Sequence, residues 1–317
     1  MKGSRVLITG GGGFIGTHLA ESLCHDNDVV LFDNFRRDSL QYIPALRAHP
    51  RIRVVHGNVL DCESVRDAME GVDTVIHSAA IAGVSNYYNE SKTTLQVNIL
   101  GTVNVLDAFV AVKAKRLLYF STSEVYGSEA GGVDEEMNHG IGPVSDRRWV
   151  YAVSKLAGEN FVLRYGEEHG FHAVCVRPFN IYGPRQTGEG AISNFALSLA
   201  AGKPLTVYGD GADIRSWCYI SDLVTVVPKL LLTPETAGMT FNIGNPNTAV
   251  TSLELAEIAI KVHGGGSIIR AESGHAPIRN RYPNIDRARK YVGFEPMTGL
   301  EDGLSKTFAW FQETMTP

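Results

Sequence analysis

The glycine-rich stretch after the first apolar segment constrains the fold most. Arg5–Thr9 reads as a short strand, and glycines occupy residues 10–13 before a predicted helix that runs through Leu23. Glycines at this spacing let the backbone turn tightly and approach a pyrophosphate at the helix N-terminus. An ordinary glycine-rich turn is the alternative, but the strand before and the helix after are what a dinucleotide-binding loop requires. The predicted cofactor contacts are Gly10, Gly13, Phe14, Ile15 and Gly16.

An acidic residue ends the next predicted strand. Asp33 follows the apolar residues 29–32 and lies 17 residues after Gly16. A carboxylate at this position can hold the hydroxyls of an adenosine ribose. It also repels a 2′-phosphate, which favours NAD over NADP, although Arg36 and Arg37 lie nearby.

The third and fourth predicted strands end in further candidate contacts. Asn58 follows residues 54–56, and its amide can meet the adenine edge. Small residues follow the strand at 74–77, where they would let the backbone lie against a cofactor, although close packing alone would also explain them. His77 is predicted to be structural. The contacts predicted from this part of the chain are Asn34, Asn58, Val59, Ala79 and Ala80.

Alternation of strands and helices predicts an α/β fold with a right-handed, doubly wound parallel sheet of the Rossmann type. Residues 95–110 are predicted to form one amphipathic helix on this sheet, and residues 172–177 its sixth strand. The alternation weakens after residue 185. We therefore predict an NAD-binding domain over residues 1–185 and a smaller C-terminal substrate-binding lobe over residues 186–317, which can interleave with the first.

Composition argues against several classes of partner. The formal net charge is −5 over 317 residues, with no basic stripe that would attract nucleic acid. The 4 cysteines are scattered without CxxC spacing, which predicts free thiols in a reducing compartment and no metal site. Neither a signal-peptide pattern nor an apolar run of membrane-spanning length is evident. We expect a cytoplasmic protein without membrane contact.

Hydroxyl and carboxylate side chains follow the fifth predicted strand. Residues 117–119 form an apolar run, and Thr122, Ser123 and Glu124 come just after it. In open α/β sheets, ligands bind at the carboxyl ends of the strands. These three residues are therefore candidates for contact with a reacting group.

Tyr151 and Lys155 lie four residues apart and would share one face of a helix. An ammonium held there stabilises a phenolate and lowers the tyrosine pKa from about 10. Such a tyrosine can take the proton of a hydroxyl while a hydride leaves the same carbon. A surface helix with a chance Tyr and Lys is the alternative, because both residues are common on helices.

Taken in order, these motifs closely resemble the extended short-chain dehydrogenase/reductase family, the NAD-dependent sugar-nucleotide epimerases and dehydratases. The resemblance covers residues 6–311 and includes the glycine loop, Asp33, the segments 77–80, 122–127 and 177–185, and the Tyr151–Lys155 pair. It implies tightly held NAD, reduced and re-oxidised within one turnover, and a nucleotide-sugar substrate that passes through a 4-keto form. It also implies a homodimer through the helices at 95–110 and 151–165.

The same resemblance implies roles for individual residues. Tyr151 would be the base at the sugar 4-hydroxyl, Lys155 would tune it and hold the nicotinamide ribose, and Thr122 would hydrogen-bond the same hydroxyl. The implied substrate contacts are Asn180, Arg185, Arg215, Arg279 and Arg281. One departure is Asn58, because members of the family usually carry Asp there.

The triplet at residues 122–124 bears on the reaction. The 4,6-dehydratases carry an acid where Ser123 stands, and most 4-epimerases lack a glutamate where Glu124 stands. Thr-Ser-Glu is similar to UDP-glucuronic acid decarboxylases, as are the segment at 148–151 and Arg281. In those enzymes the matching Glu and Arg serve at C5 and at the substrate carboxylate. A UDP-sugar 4-epimerase and an NDP-glucose 4,6-dehydratase remain alternatives, since Arg279 and Arg281 can also hold a diphosphate.

Two readings from other classes fit the sequence less well. A non-catalytic NAD-binding regulator could use the same fold, because fold does not fix function. Such a regulator would be expected to lose Tyr151 or Lys155, and this chain has both. An NADP-dependent reductase that releases its product is disfavoured by Asp33.

Overall fold

A seven-stranded parallel sheet forms the centre of the molecule, in a computed structural model that describes residues 1–272 and 278–315. Within those residues the strands are β1 (Arg5–Thr9), β2 (Asp28–Asp33), β3 (Ile52–His56), β4 (Thr74–His77), β5 (Arg116–Phe120), β6 (Glu129–Val133), β7 (His172–Pro178), β8 (Ile181–Tyr182), β9 (Leu205–Tyr208), β10 (Ile214–Arg215), β11 (Cys218–Tyr219), β12 (Met239–Ile243), β13 (Val250–Thr251), β14 (Ile268–Ala271) and β15 (Asn280–Pro283).

Helices cover both faces of this sheet. In the same residues the α-helices are α1 (Phe14–Leu23), α2 (Pro44–Arg47), α3 (Cys62–Ala68), α4 (Val84–Asn89), α5 (Ser91–Leu95), α6 (Gly101–Ala111), α7 (Val150–His169), α8 (Ala191–Ala200), α9 (Ile220–Leu232), α10 (Ser252–His263), α11 (Asp286–Val292) and α12 (Leu300–Met315). Residues of α1, α9 and α12 join one buried apolar cluster, and residues of α3, α6 and α7 join a second one. All four residues of β4 are buried, as expected for a strand covered on both faces.

The order of the central sheet is β12-β7-β5-β4-β1-β2-β3, and all neighbouring strands run parallel. This confirms the predicted Rossmann-type α/β fold. The order reverses between β1 and β4, and ligands bind at such a switch point. The carboxyl ends of β1, β2, β4 and β5 therefore meet at one edge.

The two halves of the chain exchange strands. β12 comes from the C-terminal half and completes the central sheet beside β7, whereas β6 from the N-terminal half pairs with β15 in a four-stranded sheet ordered β13-β10-β15-β6. The sequence did not predict β6, because its residues Glu-Ala-Gly-Gly-Val lack a strand pattern. The division at residue 185 remains a prediction.

The predicted helix at 95–110 is part of a longer helical stretch, Ser91–Ala111, with a π-helical segment at Gln96–Leu100. Asn98 in that segment bonds the backbone of Ile81 and the hydroxyl of Ser154. By length and composition this stretch could cross a membrane, contrary to the expectation from sequence. It packs against α3 and α7 as a core helix does, so we assign it to the core.

Candidate active site

Two glycines bring the first loop close to the segment after β4. Gly10 has a φ of +70°, and a Cβ placed on it would lie 2.8 Å from the backbone nitrogen of Ala79. A Cβ on Gly16 would overlap the carbonyl oxygen of Gly10. Gly13 is the N-cap of α1 and brings no side chain to that end. This bare, positively polarised helix end fits the pyrophosphate of a dinucleotide.

Asp33 lies at the end of β2, where its carboxylate accepts hydrogen bonds from the backbone N–H groups of Gly12, at 2.9 Å, and Phe35, at 2.8 Å. Burial raises the pKa of this carboxyl. The arginines near it are engaged elsewhere: Arg36 pairs with Glu90, and Arg37 donates to the carbonyl of Ala82. The carboxylate is thus held at the place where the sequence predicts a ribose contact.

A single cavity of about 560 Å³ runs from the glycine loop past the carboxyl ends of β4 and β5. It brings together most of the residues that the sequence singles out, and their roles remain predictions. Those that line it are Gly10, Gly13, Phe14, Ile15, Gly16, Asp33, Asn34, Asn58, Val59, Ala79, Ala80, Thr122, Ser123, Glu124, Tyr151, Lys155, Asn180 and Arg281.

Tyr151 and Lys155 lie one turn apart on α7, as predicted, but their electrostatics differ from the expectation. Lys155 Nζ donates to the carbonyl of Phe120 at 2.7 Å and lies 6.0 Å from the centroid of the Tyr151 ring. Burial raises the pKa of Tyr151, and the negative charge of Glu124 raises it further. Burial also lowers the pKa of Lys155 to about 7. The expected lowering of the tyrosine pKa is absent, because burial and the charge of Glu124 raise it and the desolvation of Lys155 disfavours that residue's charged form.

A second tyrosine, which the sequence did not single out, packs against the first. The rings of Tyr87 and Tyr151 stack with centroids 5.1 Å apart and planes 10° apart, and Tyr87 lines the same cavity. The guanidinium carbon of Arg148 lies 5.9 Å from the centroid of the Tyr87 ring. The sequence of α4 contains no motif that points to Tyr87. The only sequence signal for this part of the site is Arg148, three residues before Tyr151.

Residues 122–127, here called the 122–127 turn, carry the side chains that follow β5. Ser123–Tyr126 form a 3-10 helix, and the Thr122 hydroxyl caps it by accepting from the backbone N–H of Glu124 at 3.2 Å. Because this hydroxyl accepts there, its own hydrogen is free to be donated towards a substrate. Ser123 is buried at the cavity wall.

Glu124 lies between two arginines. Arg281 Nη1 donates to its Oε1 at 2.5 Å, and Arg148 Nη2 lies 3.1 and 3.0 Å from its two oxygens. Arg281, on β15, also donates from Nη2 to the carbonyl of Gly127 at 3.1 Å. Burial opposes ionisation of Glu124, but the nearby guanidinium groups of Arg281 and then Arg148 lower its pKa overall. The carboxylate is therefore ionised at neutral pH.

The remaining predicted substrate residues lie in different surroundings. Asn180 lines the cavity and donates to the carbonyl of Ser216 at 2.8 Å. Arg185, in contrast, directs its guanidinium to His18 and Glu21 on α1 and does not line the cavity. The sequence-predicted contact between Arg185 and substrate therefore receives no support from the geometry.

Two further predicted arginines lie outside the cavity lining in the part of the chain that the structure describes. Arg215 is next to Arg281 across the β10–β15 pair, and burial together with that like charge lowers its pKa to about 10. Arg279 is half-exposed and pairs with Asp210 at 2.8 Å. Their predicted contacts with a diphosphate remain predictions.

His77 is buried and does not line the cavity, as its predicted structural role implies. The His77 ring is buried, with Nδ1 2.6 Å from the Thr9 hydroxyl and Nε2 2.9 Å from the Thr102 hydroxyl. In residues 1–272 and 278–315, no group of three or more His, Cys, Asp or Glu side chains is placed to hold a metal ion.

The glycine loop, Asp33 and the Tyr151–Lys155 pair lie along one cavity at the edge of a parallel sheet, the arrangement that the sequence predicts for dinucleotide-dependent oxidation of a hydroxyl. The sequence profile of the NAD dependent epimerase/dehydratase family matches residues 6–244. The chain belongs to this family, and it is an NAD-dependent enzyme acting on sugar nucleotides. The predicted family, enzyme class and cofactor are thereby confirmed.

Known proteins of several reaction types are similar to the whole chain. A UDP-N-acetyl-alpha-D-glucosaminuronate decarboxylase from Bacillus cytotoxicus is 33% identical over 319 residues, which cover 98% of each chain. An epimerase structure from Methanothermobacter thermautotrophicus has a TM-score of 0.91 at 28% identity, covering 99% of this chain and 94% of that one. A UDP-glucuronic acid 4-epimerase from Bacillus cereus, in complex with UDP-glucuronic acid and NAD, has a TM-score of 0.89 at 27% identity, covering 98% and 99%.

Proposed function

We propose that the chain is a UDP-uronic acid decarboxylase that acts on UDP-glucuronic acid. The observation that carries this proposal is the largely buried cluster of Glu124, Arg281 and Arg148, whose glutamate is close enough to Tyr151 to raise its pKa. Two guanidinium groups face one carboxylate, so the cluster has one positive charge in excess. A substrate that brings its own carboxylate to the sugar ring would balance that charge.

Two donors of the cluster support the same substrate class, whereas Glu124 Oε2, which also lacks a hydrogen-bond partner among the described residues, would accept from a hydroxyl. Arg281 Nε is buried and makes no hydrogen bond to any residue that the structure describes, and the same holds for Arg148 Nη1. A buried donor without a partner costs free energy, about 1–3 kcal/mol or more for a charged group. Arg281 lines the cavity, and guanidinium groups bind carboxylates with short, directional hydrogen bonds. A neutral 6-hydroxyl would balance no charge.

The residues can then carry out the chemistry in order. NAD, when bound, supplies the hydride acceptor for C4. Tyr151 takes the proton of the 4-hydroxyl as a phenolate, a form that Lys155 and the positive charge of a bound nicotinamide would favour against the effect of burial. Thr122 can donate a hydrogen bond to the same oxygen, so that C4 becomes a ketone. In a uronic acid the carboxylate at C6 is then β to this ketone.

Loss of carbon dioxide breaks the C5–C6 bond and leaves its electrons in an enolate across C4 and C5. Arg281, held in place by ionised Glu124, stabilises the negative charge, and one proton from solvent is delivered to C5. Return of the hydride to C4 and of the Tyr151 proton to the oxygen gives a UDP-pentose. The first half of this sequence is shared with epimerases, and the second half needs the arginine cluster.

A 4-epimerase acting on UDP-glucuronic acid is the second candidate. The solved 4-epimerase from Bacillus cereus supports it, because its printed ligands are UDP-glucuronic acid and NAD. The same arginine cluster could hold a carboxylate that is never lost. Dehydration is less well supported, because Ser123 stands where a 4,6-dehydratase carries its acid.

A homodimer and a cytoplasmic location are part of the proposal. Leu100, Val153 and Phe161 are apolar side chains exposed on the helical stretch 91–111 and on α7. Pairing of these two helices with those of a second copy would cover all three side chains. Their exposure supports a homodimer.

A proton NMR time course with purified protein and NAD tests the reaction. The substrates are UDP-glucuronic acid, UDP-N-acetylglucosaminuronic acid, UDP-glucose and dTDP-glucose, each in a separate tube. From UDP-glucuronic acid we expect the proton signals of a UDP-pentose, or of its 4-keto form, together with carbon dioxide measured in a separate assay. UDP-galacturonic acid with its carboxylate intact would establish the 4-epimerase instead. Turnover of the neutral hexoses alone would overturn the uronic acid assignment.

A further inference from the structure

A buried ion pair behind the site ties α7 to the central sheet. Arg177 on β7 donates from Nε and Nη2 to the two carboxylate oxygens of Glu159, at 2.8 and 2.7 Å. Both side chains are 4% exposed. Glu159 lies one helical turn after Lys155 and two turns after Tyr151. The pair therefore fixes the helix that carries Tyr151 relative to β7.

The same guanidinium also reaches the 122–127 turn. Arg177 Nη1 donates to the Tyr126 hydroxyl at 2.8 Å, and this hydroxyl donates to Asn242 Oδ1 at 2.7 Å. Tyr126 is buried and is the last residue of the 3-10 helix that begins at Ser123. One side chain thus contacts both the helix with Tyr151 and the turn with Glu124.

His139 supports the turn from a second direction. Its Nδ1 lies 2.9 Å from the carbonyl oxygen of Val125, and its Nε2 lies 3.4 Å from Arg177 Nη2. A carbonyl only accepts and a guanidinium only donates, so the imidazole is neutral with its hydrogen on Nδ1. Burial and the charge of Arg177 lower the pKa of His139, which favours this neutral form.

The two ends of the turn are held in different ways. Thr122 follows β5 directly, where the backbone N–H of Ser121 bonds the carbonyl of Val176 at 2.8 Å. The end with Glu124 has backbone bonds within the turn and to Gly140, and it is tied to the rest of the protein mainly by side chains: Tyr126, His139 and Arg281, which donates to the carbonyl of Gly127. Removing one of these side-chain contacts should loosen the Glu124 end more than the Thr122 end.

We propose that Tyr126, held by Arg177, is a positioning residue that sets where Glu124 lies relative to Tyr151. His139 assists it by holding the backbone of Val125. The action of Glu124 on the C5 side of the sugar rests on the proposed decarboxylation. The positioning of the turn does not, because Thr122 and Tyr151 serve the oxidation of C4 in any reaction of this family.

The test compares Tyr126→Phe with Tyr182→Phe in the full-length protein with NAD. Tyr182 is a matched control, because it is also buried and its hydroxyl makes a hydrogen bond, to the carbonyl of Leu300. Each variant is assayed with the nucleotide sugar that the wild type converts fastest. We expect kcat of Y126F to fall by about tenfold to a hundredfold, as misplacement of a reacting group does, with KM within about threefold. Y182F should keep kcat within about twofold of the wild type.

The absorbance of bound NADH at steady state gives a second readout. If the Glu124 end moves more than the Thr122 end, Y126F should hold more of its cofactor reduced than the wild type does. An unchanged kcat, or a rise in KM alone, would overturn the proposal. A wild type that epimerises without losing carbon dioxide would refute the proposed function but leave this kcat comparison readable.

His139 variants keep the proposal testable if Y126F does not fold. His139 is only partly buried, so His139→Ala is less disruptive, and His139→Asn places an N–H donor near the position of Nδ1. We expect H139A to lose kcat and H139N to recover most of it. Equal loss in both variants would contradict a positioning role through Val125.

Discussion

The cofactor end and the arginine cluster of one cavity are built in opposite ways. At the cofactor end, contacts come from backbone and small residues within short segments, such as the loop at residues 10–16 and the end of β2. The cluster consists of long charged side chains from distant parts of the chain, because Arg281 lies 157 residues after Glu124. Its geometry depends on the pairing of β6 with β15.

This difference separates what the family shares from what distinguishes its members. A glycine loop can accept a dinucleotide whichever sugar is bound nearby. Under the proposed function, the charge, number and direction of the guanidinium groups decide which group at C5 is tolerated. Variants at the two ends should therefore fail in different ways.

Replacing Tyr151, which lies between the cofactor end and the arginine cluster, should have the largest effect. In Tyr151→Phe the ring can still stack on Tyr87, but the proton acceptor is gone. We expect kcat to fall by about 10²- to 10⁴-fold, the usual contribution of a general base, with NAD affinity unchanged. Steady-state assays and a titration with NAD measure both. Retention of kcat within about tenfold would remove Tyr151 from the reaction.

Replacing the central arginine of the cluster should come next. Arg281→Lys keeps a positive charge but cannot bond Glu124 and Gly127 together, so we expect release of carbon dioxide to fall about a hundredfold. Reduction of NAD in a single turnover should fall less. Arg289→Lys, at an exposed ion pair with Glu295, is the control. Equal losses in both steps would make Arg281 a binding group and erase the contrast.

A glycine substitution tests the cofactor end of the cavity. Gly10→Ala strains a positive φ and adds a Cβ 2.8 Å from Ala79, whereas Gly202→Ala strains a φ of +64° with no atom within 4 Å of the new Cβ. We expect the NAD dissociation constant to rise by about tenfold to a hundredfold in G10A only, from about 1–3 kcal/mol of local strain. Isothermal titration measures it. Similar affinities in both variants would show that close approach to Ala79 is unimportant.

The last prediction concerns stability and not activity, and it rests on pH and Lys155. Its pKa is about 7 in the folded protein and 10.5 for the unperturbed side chain, so between these values the unfolded chain binds a proton that the folded chain lacks. The free energy of unfolding contributed by this group therefore rises with pH through that window. Urea unfolding across it should show a steeper rise for the wild type than for Lys155→Met. Parallel curves would mean that Lys155 keeps its proton when folded.

The sequence predicted the parts of the fold and site that depend on local pattern. The glycine loop and Asp33 sit where their spacing indicated, because a strand, a tight turn and a helix suffice to place them. Neither β6 nor Tyr87 could be predicted from local pattern, because glycines interrupt the apolar alternation of the strand and α4 has no motif. Arg281 entered only through family resemblance, and Arg148 was noticed only as part of that resemblance.

Electrostatic predictions were the least transferable. The spacing places Lys155 one helical turn after Tyr151, but the pKa of each group depends on burial and on neighbours that no local pattern reveals. Arg185 is a second example, because its motif suggests a substrate contact and its guanidinium instead contacts α1. Side-chain direction, unlike position along the chain, is decided by long-range packing.

The exchange of strands between the two halves has a consequence for synthesis. β12 ends at Ile243, so the central sheet can close before β15 has left the ribosome. Glu124 must wait for Arg281, 157 residues later. At about 5–20 residues per second, the 38 residues from Ile243 to Arg281 take roughly two to eight seconds to synthesise. During that time the nascent chain has a nearly complete cofactor fold in which Glu124 can pair with Arg148 and still lacks Arg281, a state that a chaperone or protease could distinguish from the finished enzyme.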